Sequence, residues 1–266
     1  RDNFNDYLNS FTADLDRLDL HVVDVGWKGS IQDNLYNWSN GYHGPRAKIS
    51  GYYLGLVATG SAHELNQKQG LLLETLSDLS PGAEIYNENR ALFEILLPAS
   101  HGSASDYIRH PSGVVECLAD EYPEEAMIEA HVRPITRGFM DVFYVLSDAI
   151  NHSKYPLSSV MKNSLIHHSR MVFTPTRYEV DWFHSISHVE NFGLFEESQF
   201  RVDEVMPSLI QKYLYTRDLI SIENRMNIGF WPWLKLKDCA LPFVSDLYKY
   251  RQMRRSMKST HMTFKR

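Results

Sequence analysis

The chain has 266 residues, 43% of them hydrophobic and 12% aromatic, which is enough apolar material for one large domain or for a core with an appended lobe. Its formal net charge of −6 argues against nonspecific nucleic-acid binding, which needs a basic excess. The sequence contains no stretch of about 18 apolar residues and no secretory signal. We therefore expect a cytoplasmic protein whose two cysteines, Cys117 and Cys239, are buried thiols. Because the chain begins with Arg1 inside a predicted helix, we also expect it to be part of a longer protein.

The first half of the chain alternates helical stripes with short apolar runs. Helices are predicted at residues 5–18, 31–38 and 88–97, and strands at residues 21–25, 47–57, 71–76 and 113–118. Strand, helix and strand in this order favour a right-handed βαβ unit with a parallel sheet. The second half has helical patterns at residues 124–152, 157–171, 176–189, 202–215 and 238–257. The sequence thus predicts an α/β fold, with a sheet-containing region at residues 1–120 and a helical region at residues 121–266.

The turn between the first strand and the next helix has the composition of an anion-binding site. Gly26 and Gly29 permit tight backbone conformations, and Ser30 opens a helix whose first turn carries free N–H groups and the positive end of the dipole. Lys28 adds a positive charge, and Asp24 stands at the strand end, where open α/β sheets bind ligands. These features predict a turn that grips a substrate phosphate, with Asp24 bound to two ribose hydroxyls or to a metal.

An ordinary strand-to-helix turn with a serine cap is the alternative, since one Gly-x-x-Gly-Ser sequence is not specific. Trp27 and Lys28 favour a functional turn, because they are poor choices for a merely structural connection. Asp24 favours it as well, because a carboxylate is costly at the end of a buried strand unless it has a partner.

The turn is similar to the ribose-5-phosphate loop of phosphoribosyltransferases, in which an acidic pair holds the ribose hydroxyls and a small loop cradles the phosphate. Asp24 matches the second acid, Val23 replaces the first, and residues 28–31 occupy the loop. The departure at Val23 and the missing loop threonines indicate that the chain is not a standard purine or pyrimidine salvage enzyme.

A closer resemblance is carried by VVDVGWKGSIQDNL at residues 22–35, followed by ISGYYLGL at residues 49–56. These segments resemble the module found C-terminal to haloacid-dehalogenase-type (HAD-type) phosphatases in bacterial polysaccharide gene clusters. Residues 92–107 (LFEILLPASHGSASDY), 137–139 and 189–193 fit the same resemblance. The resemblance implies a Rossmann-like, phosphoribosyltransferase-like core with a large helical C-terminal part.

The activity implied by the resemblance is transfer of 5-phosphoribose from phosphoribosyl pyrophosphate to a lipid-linked glycan acceptor in O-antigen or capsule synthesis. A fused or separate HAD-type phosphatase would then remove the 5-phosphate. Mg²⁺ is expected to be bound mainly through the pyrophosphate of the donor, so no protein metal site is predicted. Asp24, Glu94 and His101 are the candidate catalytic residues, the last two as candidates for the base. Candidate substrate-binding residues are Gly26, Trp27, Lys28, Gly29, Ser30, Gln32, Arg46, Lys48, Arg90, Gly102, Ser103 and Tyr107.

Other patterns have simpler interpretations. His184 and His188 are four residues apart on a predicted helix but lack an obvious third metal ligand. His167 and His168 are expected to have surface or capping roles, and residues 230–233 (FWPW) to pack a helix against the core. The basic tail from residue 249 to 266 is expected to be a solvated helix end, with contact to an anionic membrane surface as the alternative.

Two other classes of function stay open at the level of the sequence. One is a glycosyltransferase that uses a nucleotide sugar, which would need a second nucleotide-binding lobe. The other is a noncatalytic module that binds a phosphosugar and supports a partner phosphatase.

Overall fold

The computed structural model describes residues 2–11, 19–40, 48–74, 82–189, 197–199, 208–220, 231–239 and 241–263. The chain divides into two units, one made of residues 1–76 and 99–125, the other of residues 77–98 and 126–266. The first unit contains a parallel sheet and a hairpin, and the second is mostly helical. The α/β class, the parallel sheet and the helical second half of the chain are therefore confirmed.

Three parallel strands form the sheet of the first unit, in the order β1-β2-β3. They are β1 (Leu20–Trp27), β2 (Ile49–Leu56) and β3 (Asn66–Glu74). Strand β1 is longer than predicted, because Trp27 pairs with Leu56 and its carbonyl accepts a hydrogen bond from the Val57 amide at 2.7 Å. Asp24 therefore lies inside the strand, opposite Tyr53, and not at the strand end.

Helix α2 (Ser30–Asn40) follows β1 and packs on the sheet through polar side chains. Its buried residues are Gln32 and Ser39, so its inner face is not the apolar stripe that the sequence pattern predicts. The connection from β2 to β3, residues 57–65, contains no helix and no named strand. This parallel crossover is unusually short, because such connections normally take a dozen or more residues.

A separate antiparallel hairpin completes the first unit. It consists of β4 (Ala104–Arg109) and β5 (Val115–Ala119), and helix α1 (Asp2–Asn9) packs against it. The strand predicted at residues 113–118 therefore exists, but it pairs in this hairpin and does not extend the parallel sheet. The ring of Phe4 in α1 contacts both Tyr107 in β4 and Trp38 in α2, with centroids 5.0 and 5.2 Å away. This aromatic contact ties the hairpin to the C-terminal part of α2.

The second unit is built almost entirely from helices. They are α3 (Ala83–Glu88), α4 (Arg90–Leu96), α5 (Glu125–Met127), α6 (Arg133–Ser153), α7 (Leu157–Phe173), α8 (Arg177–His184), α9 (Leu209–Ile220), α10 (Pro232–Cys239) and α11 (Val244–Thr263). A π-helical turn, Ile128–Val132, joins α5 to α6. Two short strands, β6 (Ser187–Val189) and β7 (Glu197–Gln199), pair antiparallel, so the helix predicted at residues 176–189 ends earlier than expected. Among the residues described, no helix combines the length and the apolar character needed to cross a membrane.

The predicted packing role of the FWPW segment is confirmed for the part that is described. Trp231 is fully buried, its ring N–H donates to the Val172 carbonyl at 2.7 Å, and its ring meets Phe183 edge-on. Trp233 is buried as well, while Phe230 lies outside the described residues. The segment forms part of the core of the second unit.

His168 in α7 is half-buried between two aromatic rings, against the expectation of a surface or capping role. Its imidazole stacks on Phe93 at 5.1 Å and contacts Tyr86 at 4.9 Å. Burial lowers the pKa of His168 to about 4, against a smaller opposing effect of a hydrogen bond to the Ile85 backbone. The folded state therefore holds this imidazole neutral, whereas the unfolded chain protonates it near its ordinary pKa.

We expect His168 to make the second unit acid-sensitive. Because its pKa is lower in the folded state, the stabilisation is complete above about pH 6.5 and is lost as the pH falls toward 4. Between pH 7 and pH 4.5 the loss should be roughly 2–3 kcal/mol, and His168→Phe should remove that part of the pH dependence. Urea unfolding followed by amide signals of α7 measures it. The same substitution at His167, its exposed neighbour, is the control and should leave the wild-type slope.

Measurement above pH 4.5 also separates the effect of His168 on stability from that of Glu179. Hydrogen bonds from Arg170 lower the pKa of Glu179 to about 2, so its contribution is lost only below pH 4.5. Equal slopes for the His168→Phe protein and the wild type between pH 7 and 4.5 would contradict the prediction.

Candidate functional site

The predicted phosphate turn is very short in the structure. Strand β1 ends at Trp27 and α2 begins at Ser30, so only Lys28 and Gly29 connect them. The first helical hydrogen bond runs from the Asp33 amide to the Gly29 carbonyl at 3.0 Å. Lys28 and Ser30 are exposed, whereas Gly29 is buried. The turn therefore presents one basic and one hydroxyl side chain to solvent.

Gly29 seats the turn directly on the sheet. Its φ of +66° lies in the left-handed region that favours glycine. A Cβ atom at this position would come within 2.9 Å of the Lys68 side-chain carbons and of the Tyr53 hydroxyl. Both the backbone conformation and the lack of space therefore require glycine, and the floor beneath the turn consists of Tyr53 and Lys68.

The first turn of α2 offers backbone donors to solvent. Because the first helical bond is made by Asp33, the amides of Ser30, Ile31 and Gln32 have no acceptor within the helix. Gly29 has no side chain with which to cap them, and Ser30 and Ile31 are exposed. The helix dipole adds a positive potential at this end. Free amides, dipole and the Lys28 ammonium together make a site suited to an anion.

Asp33 and Lys68 form an ion pair beneath the turn, with Nζ and Oδ1 2.5 Å apart and the lysine side chain only 2% exposed. Burial alone would raise the pKa of Asp33, but hydrogen bonds from Lys68, the Ser61 amide and Asn66 outweigh it and lower the pKa. Lys68 also donates to the Thr59 carbonyl at 2.9 Å. Its charge is thus used inside the fold, which leaves Lys28 as the exposed ammonium of the turn.

Gln32 and Tyr53 extend this polar network. The Gln32 amide donates to Asn66 Oδ1 at 2.7 Å and to the Gln67 carbonyl at 3.0 Å, and its Oε1 accepts from the Tyr53 hydroxyl at 2.8 Å. Burial, followed by the carboxylates of Asp24 and Asp33, raises the pKa of Tyr53 to about 12. Tyr53 therefore stays protonated and can donate a hydrogen bond. Its hydroxyl lies next to Gly29, and the Asp24 carboxylate is close enough to raise its pKa.

Three predicted substrate-binding residues support the turn from within. Gln32 is 1% exposed and acts through the network described above. The Trp27 ring lies against Gly55, where any Cβ atom would overlap it. Gly26, with φ +146°, faces the Gly55 carbonyl just as closely. Packing of the half-buried indole against Gly55 therefore accounts for a tryptophan at position 27. A contact between Trp27 and a ligand is not needed to explain it.

Lys48 lies just before β2. Its carbonyl accepts from the Leu20 amide at 2.8 Å, which places the Lys48 backbone beside the first residue of β1. The neighbouring Ile49 carbonyl accepts from the Gln32 side chain at 3.4 Å, so the start of β2 is in contact with a residue of the first turn of α2. Arg46 lies outside the described residues.

The remaining predicted residues occupy two other places. Arg90 and Glu94 are half-buried on α4 in the second unit. His101, Gly102 and Ser103 lie just before β4 in the first unit, where the Ser103 carbonyl accepts from the Asp120 amide at 2.8 Å.

The contacts of Tyr107 are structural. Its ring packs against Phe4 and Tyr7, its carbonyl accepts from Asn3 at 2.7 Å, and burial is the main reason that its pKa is raised. The hairpin that carries it is tied to α2 at Trp38, eight residues and about 12 Å of helix rise from Ser30.

His101 has the local geometry of an oriented base. Its Nδ1 lies 2.8 Å from the Gly102 carbonyl oxygen, which can only accept a hydrogen bond. In the neutral ring Nδ1 therefore carries the proton, and Nε2 keeps the lone pair that a base needs. The side chain is exposed.

Metal-ligating residues do not cluster in the described parts of the chain, where no group of three His, Cys, Asp or Glu residues could hold an ion. His184 lies 3.4 Å from Asp238, and the side chain of His188 lies outside the described residues. Cys117 is a free, partly buried thiol, and the side chain of Cys239 is not among those described.

Sequence reasoning missed the residues beneath the turn. Asp33, Asn66 and Lys68 are polar residues in ordinary surroundings, and nothing in the sequence pairs them. The two glycines of ISGYYLGL did carry a signal, because Gly51 leaves room for Gln32 and Gly55 for Trp27. Comparison of the chain with protein-family models gives no match, and none of the curated proteins matches it significantly.

We expect Gly29→Ala to destabilise the first unit far more than Gly113→Ala. Both glycines have positive φ, +66° and +89°, but a Cβ atom at Gly113 meets nothing within 4 Å. Gly113→Ala should therefore cost about 1–2 kcal/mol from backbone strain alone. Gly29→Ala should cost about 1–3 kcal/mol more, because the floor must shift. Urea unfolding followed by amide signals of β2 measures both, and equal costs would show that the turn is not seated on Tyr53 and Lys68.

Proposed function

We propose that the chain is a glycosyltransferase domain that transfers 5-phosphoribose from phosphoribosyl pyrophosphate to a glycan acceptor in bacterial surface polysaccharide synthesis. A HAD-type phosphatase would then remove the 5-phosphate. The observation that carries the proposal is the uncapped first turn of α2, with its exposed amides beside Lys28 and with Asp24 near the same floor. The parallel βαβ arrangement supports a Rossmann-like, phosphoribosyltransferase-like core.

The donor's phosphate would occupy the turn, and its ribose would lie toward Asp24. Phosphate oxygens would accept from the Ser30 and Ile31 amides and from Lys28. Asp24 can accept hydrogen bonds from two adjacent hydroxyls, since a carboxylate offers about four acceptor positions. Tyr53 lies near both the turn and Asp24, because its hydroxyl is next to Gly29 and the Asp24 carboxylate contributes to its raised pKa.

The reaction would break the bond between the anomeric carbon and pyrophosphate and form one to the acceptor oxygen. The acceptor proton passes to a base, and the electron pair of the broken bond leaves on pyrophosphate. Mg²⁺ carried by the donor would supply charge neutralisation on the leaving group. The chain's own residues hold the ribose and the 5-phosphate, so that the developing positive charge on the sugar ring arises in a fixed position.

His101 is the candidate base that lies in the same unit as the turn, whereas Glu94, the other candidate from the sequence, lies in the second unit. The Nδ1 contact to the Gly102 carbonyl supports His101, because it leaves Nε2 free to accept a proton. A positioned base contributes roughly 10²–10⁴-fold to the rate, so the residue that fills the role should show a loss of that size on His101→Ala or Glu94→Gln. Substitution of the other residue serves as the control in the same transfer assay.

We expect Lys28 and Asp24 to act on different parts of a bound phosphosugar. Lys28→Met should weaken binding of ribose 5-phosphate and of inorganic phosphate alike by about tenfold, and Lys28→Arg should restore most of it. Asp24→Asn should weaken ribose 5-phosphate but leave inorganic phosphate unchanged, and it should abolish the preference over 2-deoxyribose 5-phosphate. Isothermal titration calorimetry with the three ligands measures this. Unchanged ribose 5-phosphate binding in both Lys28→Met and Asp24→Asn would refute the assignment.

Donor screening tests the transfer itself. The chain is incubated with a lipid-linked glycan acceptor and with either phosphoribosyl pyrophosphate and Mg²⁺ or nucleotide sugars. We expect a mass gain of one phosphopentose only with phosphoribosyl pyrophosphate, and its loss in the Lys28→Met protein. A gain only with nucleotide sugars would replace the proposed donor. Phosphosugar binding without transfer from any donor would make the chain a noncatalytic module.

A further inference from the structure

Apart from the turn, the first unit contains a cleft of about 740 Å³, which lies on β2, β3 and the segment between them. Most of the side chains that line it carry hydroxyl, amide or imidazole groups, among them Ser50, His63, Gln67 and Gln69. Hydroxyls and amides both donate and accept hydrogen bonds, as the hydroxyls of a sugar do.

The basic residue that lines the cleft is neutralised by an ion pair within the fold. Among the described residues that line it, the charged ones are Lys68 and Glu74. Lys68 is 2% exposed and paired with Asp33, so it offers no ammonium to a ligand. A cleft with this lining is poorly suited to phosphate or other anions and well suited to a neutral polar ligand.

The pairing of β2 with β3 places the polar residues of the cleft in regular positions. Ser50 pairs with Gln67, and Tyr52 pairs with Gln69, so each pair lies side by side. Successive odd or even positions of a strand share one face, which places the two pairs on the same face about 7 Å apart.

Tyr52 gives the cleft a flat apolar surface. Its side chain lines the cleft and is 36% exposed, and the His21 ring stacks on it at 6.0 Å with an interplanar angle of 13°. Aromatic faces pack against the C–H faces of sugar rings, and a neighbouring amide can then bond the hydroxyls at the ring edge. Tyr52 and Gln69 have that relation to one another.

His63 adds a hydrogen-bond donor to the cleft, and its donating atom is Nε2. Its Nδ1 accepts a hydrogen bond from the Leu65 amide at 3.1 Å, so the neutral ring carries its proton on Nε2. The ring also packs near Tyr36 at 5.6 Å. His63 can therefore hold a ligand oxygen by donating to it.

We propose that this cleft binds a neutral carbohydrate chain, with Tyr52 as the stacking surface and Gln67 and Gln69 as hydrogen-bonding groups. The cleft and the phosphate turn share one element, because Gln32 in the first turn of α2 donates to the carbonyl of Gln67 and to the side chain of Asn66.

The test uses the full chain labelled with ¹⁵N and titrates it with neutral trisaccharides, namely maltotriose, cellotriose and mannotriose, at millimolar concentration. We expect at least one to shift the amide signals of residues 50–52 and 66–69. Tyr52→Ala and Gln69→Ala should weaken that binding at least tenfold, while Tyr52→Phe retains it. Leu71→Ala is the matched control, because Leu71 is exposed on the same strand as Gln69 but does not line the cleft.

Three outcomes overturn the proposal: no shift with any trisaccharide, shifts located elsewhere, or equal weakening by Leu71→Ala. A preference for an acidic sugar such as sialyllactose overturns the assignment of a neutral ligand. Ribose 5-phosphate is then added to the same sample and should shift Ser30 and Ile31. If it does so where the trisaccharides fail, only the cleft proposal falls; if the trisaccharides bind and ribose 5-phosphate does not, the proposed donor site falls and the carbohydrate cleft stands.

Discussion

The partly buried ion pair between Asp33 and Lys68 is the constraint on which the candidate site depends. Two charges taken out of water are costly unless each is paired and hydrogen-bonded, and here both conditions are met. The pair joins α2 to β3 and, through the Thr59 carbonyl and the Ser61 amide, to the crossover segment. A crossover of nine residues has no helix to pack on the sheet, so polar contacts fix its path instead. The same lysine forms the floor on which Gly29 rests.

This use of Lys68 determines the character of the anion site. Lys68, the lysine beneath the turn, is neutralised inside the fold, so attraction for an anion must come from backbone amides, the helix dipole and Lys28. Amides held by a helix and a tight glycine turn are already oriented before a ligand arrives. Such a site loses little conformational entropy on binding, which favours specificity for a compact group such as phosphate.

Gln32 links the proposed anion site to the cleft on β2 and β3. It sits in the first turn of α2, yet its side chain bonds to residues at the start of β3 and to Tyr53 in β2. A shift of the turn on donor binding would therefore have to move a group that also supports the cleft wall.

The sequence by itself determined the local elements and their order: a βαβ unit, a glycine turn opening a helix, a helical second half and a buried tryptophan segment. Periodicity and turn residues encode these features within a few neighbouring positions. Only the tertiary structure decided that β1 continues to Trp27 and that Asp24 lies inside the strand. It also decided that Gln32 is buried, that His168 packs between aromatic rings and that Asp33 meets Lys68. Each of these depends on partners many residues away, and the alternation of polar and apolar residues along one segment contains no information about which distant segment will pack against it.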